Sequence, residues 1–190
     1  MQLDLRFWDG IFYDGPRPTS VGTRPVLGFR LNSYSDRGLI SITDAYTWKP
    51  GQNLALCRSF PTKHHAPGPA CTCGFYACRD LVQLLRGLAS GAARLPAQQL
   101  IITGVAGRGI VRVHERGWRA QYARIVALCD ERPALVFGQE GGRILVGHEL
   151  LRQEAAPSLG EKYGVPVVPL SELLNAMRSV GDFAEEIPWT

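Results

Sequence analysis

The sequence lacks any apolar run long enough for a helical membrane span, and its first residues lack the basic-then-apolar pattern of a secretory signal. It also lacks a long block of like charges, and its formal net charge is only +4. We therefore expect a cytoplasmic protein that does not interact with a membrane. The mild positive charge permits a nucleic-acid partner without implying one. The aromatic N-terminal residues favour a protein partner or self-association instead.

Cysteine is scarce, with five residues in a chain of 190. In a reducing cytosol an odd number of clustered cysteines indicates metal binding or catalysis in preference to disulfides. Three of them, Cys57, Cys71 and Cys73, share one short proline-rich segment with His64. Zn²⁺ accepts thiolate and imidazole ligands and completes a tetrahedron with four. The spacing predicts that Cys57, His64, Cys71 and Cys73 hold a structural zinc ion.

The pair Cys71-Thr72-Cys73 is an unusual element of this predicted site. Structural zinc sites more often place two or more residues between paired cysteines, which lets both sulfurs turn inward. Two alternatives therefore stay open, namely unliganded thiols that pack as small apolar side chains and a redox pair.

The spacing also leaves the identity of two ligands open. His65 is an alternative to His64, and Cys78, predicted at the first turn of a helix, could replace Cys57. Cys129 ends an apolar run and is predicted to lie in the core.

The apolar pattern predicts a sheet-rich fold. Strands are expected at residues 26–31, 39–43, 53–57, 100–105, 110–114, 122–128, 134–137, 144–146 and 165–168. The strands at 26–31 and 39–43 should form a hairpin, and Gly141-Gly142 links the strand at 134–137 to the strand at 144–146. Gly107-Arg108-Gly109 is predicted to turn the chain between 100–105 and 110–114 as another hairpin.

Helices are expected at residues 77–89 and 171–180, where apolar side chains recur at the helical period, and a short helix is expected at 158–163. The predicted class is α+β, with a bent antiparallel sheet or partial β-barrel, one central helix and a small C-terminal α/β appendage. The predicted organisation is an N-terminal arm over residues 1–25, a zinc-binding β-rich domain over 26–150 and a C-terminal helical appendage over 151–190.

Two motifs stand out together, HHAPGPACTCGFYA beginning at His64 and HERGWRA beginning at His114. They resemble an uncharacterised bacterial family, frequent in actinobacteria, with the patterns H-x-A-P-x-x-x-C-x-C-G-[IF]-Y-A and H-E-R-G-[YW]-R-A. The resemblance covers about residues 26–128 and implies that His64, three places before the proline, is preferred over His65. It implies a grouping of residues and no particular reaction.

The second motif places His114, Glu115, Arg116 and Arg119 at the end of a predicted strand. His114 and Glu115 could act as acid and base, and the two arginines could hold a phosphate or carboxylate. A structural alternative is an Arg–Glu ion pair at the edge of the sheet, with Gly117 in a tight turn.

Two functional hypotheses follow from these motifs. The first is a cytosolic zinc-stabilised binding or regulatory module of unknown partner, because four protein ligands leave no open position on the ion. The second is an enzyme that acts on a phosphorylated or nucleotide-like substrate through His114, Glu115, Arg116 and Arg119, with or without the metal. The H-x-E and P-C-x-x-C signatures of zinc deaminases are absent.

Overall fold

The computed structural model describes residues 20–43, 45–57, 64–69, 71–81, 84–85, 99–114, 116–140 and 143–179. In these ranges it contains the strands β1 (Ser20–Ser35), β2 (Gly38–Ser41), β3 (Asn53–Leu54), β4 (Phe75–Cys78), β5 (Leu100–His114), β6 (Gly117–Cys129), β7 (Glu131–Glu140), β8 (Arg143–Arg152) and β9 (Val167–Val168). The helices are α1 (Ala156–Tyr163) and α2 (Leu170–Ser179). None of the helices in these ranges has the length and hydropathy to cross a bilayer.

The main sheet is built on the three long strands β1, β5 and β6, which are antiparallel neighbours. Strand β6 pairs with β5, and its other pairings involve β4, β3 and the parallel strand β9. Strand β4 also pairs with β1 through Cys78 and Phe29, so β1, β5, β6 and β4 form a partial ring. The predicted α+β class, with a bent and mostly antiparallel sheet, is confirmed.

Strand β5 corrects one predicted hairpin, because it runs without a turn through Gly107 and Gly109. Gly109, at φ +79°, accompanies a β-bulge where the register between β5 and β6 shifts. A Cβ on Gly107 would lie 2.4 Å from the ring of Trp118. These glycines therefore allow a bulge and a close approach between strands, and they do not reverse the chain.

The start of the predicted central helix is also wrong. Ala77 and Cys78 belong to strand β4, where they pair with the first residues of β6. Leu81, Leu84 and Leu85 are helical. The rest of the predicted helix, residues 82–83 and 86–89, lies outside the described residues.

The predicted hairpin β1–β2 forms, and β7 pairs with β8 as its antiparallel neighbour. Strand β1 begins at Ser20 instead of residue 26 and pairs with β5 from that point, with a register irregularity between Gly22 and Val26. Residues 1–19 of the predicted arm lie outside the described residues. Helices α1 and α2 begin at Ala156 and Leu170, close to their predicted starts.

The residues of the sheet contribute to two hydrophobic cores. Ile101 belongs to the first and Ile102 to the second, because successive side chains of a strand point to opposite faces. Helix α1 contributes Leu159 and Tyr163 to the first core, and α2 contributes Leu173 to the second. Strand β5 is therefore apolar on both faces at this end, as its continuous apolar run requires.

The Tyr163 hydroxyl connects helix α1 to the sheet. It donates a hydrogen bond to the carbonyl of Trp48 at 2.9 Å and accepts one from the N–H of Leu39 at 2.8 Å. The indole of Trp48 is buried and donates to Asn32 Oδ1 at 3.1 Å. Buried donors and acceptors at this contact are therefore satisfied by one another.

Candidate metal centre

The side chains of Cys57, His64, Cys71 and Cys73 converge, and their four ligand atoms all lie within 4.8 Å of one another. Cys57 Sγ is 3.6 Å from Cys71 Sγ, and His64 Nε2 is 3.1 Å from Cys73 Sγ. Tetrahedral Zn²⁺, with its usual bond lengths, separates two sulfurs by about 3.8 Å and a sulfur from a nitrogen by about 3.5 Å. The cluster therefore has the donor types and approximate size of a four-ligand metal site.

Strand β3 and the residues after it deliver the first ligand. The N–H of Ala55 donates to the carbonyl of Gln121 on β6 at 2.8 Å, which ties this segment to the sheet. Leu56 then forms an isolated β-bridge with His65. This bridge brings the segment that contains Cys57 beside the segment that contains the histidines.

The structure distinguishes the two histidines. His64 is half-buried within the cluster, whereas His65 is exposed and lies outside it. Gly68 makes room for the imidazole, because a Cβ there would lie 2.3 Å from His64 Nε2. The Gly68 N–H also donates to Cys73 Sγ at 3.3 Å. This role of Gly68 was not predicted from the sequence.

The C-x-C element places both of its sulfurs in the cluster. Cys71 and Cys73 are half-buried while Thr72 between them is exposed, as expected when residues two apart point the same way. Gly74 follows at φ +119°, a conformation that side chains with a Cβ rarely adopt. The glycine lets the chain leave the cluster and enter β4 immediately.

Without a bound cation, the environment of Cys73 favours the protonated thiol over the thiolate. Burial raises the pKa of Cys73 to about 12, the N–H of Gly68 opposes this shift, and the thiols of Cys71 and Cys57 add to it. At neutral pH this thiol keeps its proton unless a positive charge replaces it. A metal ion supplies that charge when it displaces the proton.

The other two cysteines are buried at the ends of strands. Cys78 lies at the end of β4, and Cys129 lies at the end of β6, which confirms the predicted core position of Cys129. Burial raises the pKa of each thiol to about 12. Among the described residues, the cluster that joins Cys57 to His64 does not include Cys78, so Cys78 does not replace Cys57 there.

Arg119 connects the second motif to residues 64–69 and 71–73, which we call the metal-binding loop because they carry three of the four candidate ligands. Its side chain is buried, and Nη1 donates to the carbonyls of Cys71 and Cys73, the latter at 3.3 Å. Its Nε donates to His114 Nε2 at 3.2 Å. His114 is itself buried, and because its Nε2 accepts this bond, its hydrogen is on Nδ1.

The remaining members of the predicted polar cluster lie elsewhere. Arg116 is exposed at the turn between β5 and β6, where its carbonyl accepts the N–H of Arg79 at 3.0 Å. Glu115 lies outside the described residues. The structure therefore places His114 and Arg119 together in the interior and Arg116 at the surface.

Comparisons with protein-family models, with curated proteins and with solved structures give no match to this chain.

Proposed function

We propose that this chain is a binding module stabilised by one Zn²⁺, which Cys57, His64, Cys71 and Cys73 hold as a structural centre. The observation that carries the proposal is the convergence of their four ligand atoms within 4.8 Å. Three sulfurs and an imidazole suit Zn²⁺, and four protein ligands leave no position for a substrate or a reactive water. The ion would therefore stabilise the fold and would not take part in catalysis.

The ion would cross-link two short strands of the sheet, β3 and β4. Strand β3 has two residues and β4 has four, and both pair with β6. Cys57 follows β3 by a few residues, and Cys73 precedes β4. Because so few backbone hydrogen bonds hold these strands, metal ligation would contribute much of the stability of this region.

A surface beside the metal centre supports the binding role. Leu54 is 46% exposed and Leu56 is 72% exposed, and both lie just before Cys57. As residues two apart in an extended segment they project to one side. Two exposed leucines close together in one extended segment offer an apolar contact surface, so we propose a protein partner that contacts Leu54 and Leu56.

The positions of His114 and Arg119 favour this proposal over the enzyme hypothesis. His114 is 3% exposed and Arg119 is 5% exposed, and the guanidinium donates to backbone carbonyls of the metal-binding loop. A residue that recognises a phosphorylated substrate needs donors that face the solvent or a cleft.

Metal analysis of the purified protein tests the proposed function. We expect about one zinc ion per chain in protein prepared without chelators, and Co²⁺ substitution should give the absorption bands of a tetrahedral thiolate site. Cys73→Ala should abolish binding. Cys129→Ala, which also removes one thiol but from the core, should retain it. Wild-type protein without metal, or equal binding by both variants, would contradict the proposal.

A further inference from the structure

Arg119 contacts the metal-binding loop from β6 but is not one of the four candidate ligands. A single nitrogen, Nη1, donates to the carbonyls of both Cys71 and Cys73. The side chain is buried, with its guanidinium carbon 5.9 Å from the centre of the Tyr76 ring. Burying a cation is costly unless its donors are satisfied and its charge is balanced, so this position requires a reason.

The backbone register shows how Arg119 reaches the loop. Arg119 on β6 pairs with Tyr76 on β4 and with Arg112 on β5. Arg112 in turn donates through Nε to the carbonyl of Pro67 at 2.9 Å. Arg112 and Arg119 are cross-strand neighbours, and both donate to carbonyls of the metal-binding loop. Arg112 contacts the loop before the C-x-C element, and Arg119 contacts it within that element.

The contact of Arg119 with both cysteine carbonyls favours the backbone conformation that the C-x-C spacing requires. With one residue between them, two cysteines direct both sulfurs to one ion only in a restricted backbone conformation. One donor that holds the carbonyls of Cys71 and Cys73 together restricts that conformation before metal binds. The sulfurs are then already oriented toward the cluster.

The charge of Arg119 also complements an occupied site. Three thiolates, a neutral imidazole and a divalent ion carry a net charge of about −1. The cluster is half-buried, so water screens this charge incompletely. The buried guanidinium of Arg119 supplies one positive charge next to the ligand backbone.

We infer that Arg119 is a positioning residue for the metal centre, which orients the C-x-C thiolates through their carbonyls and balances the negative charge of the metal–thiolate site. This inference rests on the proposed zinc-binding function. Removing a group that orients ligands from outside the coordination sphere typically lowers metal affinity by about 10- to 100-fold, and we expect an effect of this size here.

The test compares the wild type with Arg119→Met, Arg119→Lys and the control Arg108→Met. Methionine keeps an unbranched apolar stem but has neither charge nor donors, and lysine keeps the charge without the planar fork. Arg108 lies on β5 and also pairs with β6, and its Nη2 donates to Gln52 Oε1. Zn²⁺ affinity is measured by competition with a chromophoric chelator, and the site geometry by the Co²⁺ absorption spectrum.

We expect Arg119→Met to lose about 10- to 100-fold in Zn²⁺ affinity and to show shifted Co²⁺ bands, Arg119→Lys to lose less, and Arg108→Met to match the wild type. If Arg119→Met folds and keeps wild-type affinity and bands, the inference fails while the proposed function stands. If Arg119→Met does not fold, Arg119→Gln decides, because glutamine removes the charge and is too short to hold both carbonyls, and wild-type affinity and bands in that variant overturn the inference. A wild type without metal overturns the inference and the proposed function together.

Discussion

Gly68→Ala is the sharpest test of the geometry around His64. A Cβ at this position would lie 2.3 Å from Nε2 and 2.6 Å from Cδ2 of the imidazole. The backbone of Gly68 is outside the left-handed region, so alanine introduces no conformational strain of that kind. The effect of the substitution is therefore steric and is directed at one candidate ligand.

The size of the effect follows from the contact distances. Ordinary contacts between carbon atoms begin at about 3.5 Å, so the imidazole must retreat by about 1 Å or rotate away. Either movement takes Nε2 out of the cluster. Removing a supporting group alone costs about 10- to 100-fold in metal affinity, so displacing a ligand should cost about 100-fold or more. This corresponds to about 2.7 kcal/mol of binding free energy.

The measurement is Zn²⁺ affinity by chelator competition, with Gly160→Ala as the matched control. A Cβ on Gly160 would lie 2.4 Å from Val167 Cγ2, a similarly close contact on helix α1 outside the cluster. We expect Gly160→Ala to lower the unfolding midpoint in urea and to leave the affinity of the folded protein unchanged.

A double-mutant cycle gives the result that would refute this reasoning. In a His64→Ala background the imidazole is gone, so the methyl group that Gly68→Ala introduces has nothing to displace and should add little to the loss of affinity. If Gly68→Ala lowers affinity equally with and without His64, its effect does not act through the imidazole. Wild-type Zn²⁺ affinity in Gly68→Ala alone would also refute the proposed steric effect on His64.

Three further predictions concern stability. Tyr163→Phe removes the hydrogen bonds to Trp48 and Leu39 and should lower the free energy of unfolding by about 1–3 kcal/mol in urea titrations; no change would mean that water replaces the hydroxyl. Gly74→Ala forces a Cβ into φ +119° and should cost about 1 kcal/mol or more, whereas a neutral effect would show that the backbone relaxes. Cys78, whose burial raises its pKa from 9.0 to about 12, should resist alkylation at pH 8 in the folded protein. Because its native pKa lies above the unfolded value, its contribution to stability is complete below about pH 9 and is lost as the pH rises toward 12, which urea midpoints across this range would detect.

The group of candidate ligands could be predicted from the sequence because it depends on local spacing. Cys57, His64, Cys71 and Cys73 fall within one segment, and their chemistry alone predicts a shared ion. The contribution of Gly68 was not accessible, since it depends on how the loop folds back on the imidazole.

The errors in the predicted fold have a common physical cause. Gly107 and Gly109 satisfy local rules for a turn, yet Gly107 is required by the ring of Trp118 on the neighbouring strand. Likewise, Ala77 and Cys78 fit a helical period but pair with β6. In each case a contact distant in sequence overrides the local preference.

The role of Arg119 shows the same limit within the site. Its residue type predicted a bidentate contact with an anion, whereas the register of β6 against β4 directs the guanidinium to the carbonyls of Cys71 and Cys73. Residue type indicated the strength of the donor, and tertiary structure determined the acceptor.

The alternation of the two cores along shared strands has a consequence for unfolding. Leu128 and Cys129 are neighbours on β6, yet they pack into different cores. Neither α1 nor α2 can detach without hydrating a strand that the other still covers. Loss of packing in one core should therefore destabilise the shared strands and, through them, the other core. The described sheet and both helices should unfold in a single cooperative transition with no stable half-folded species.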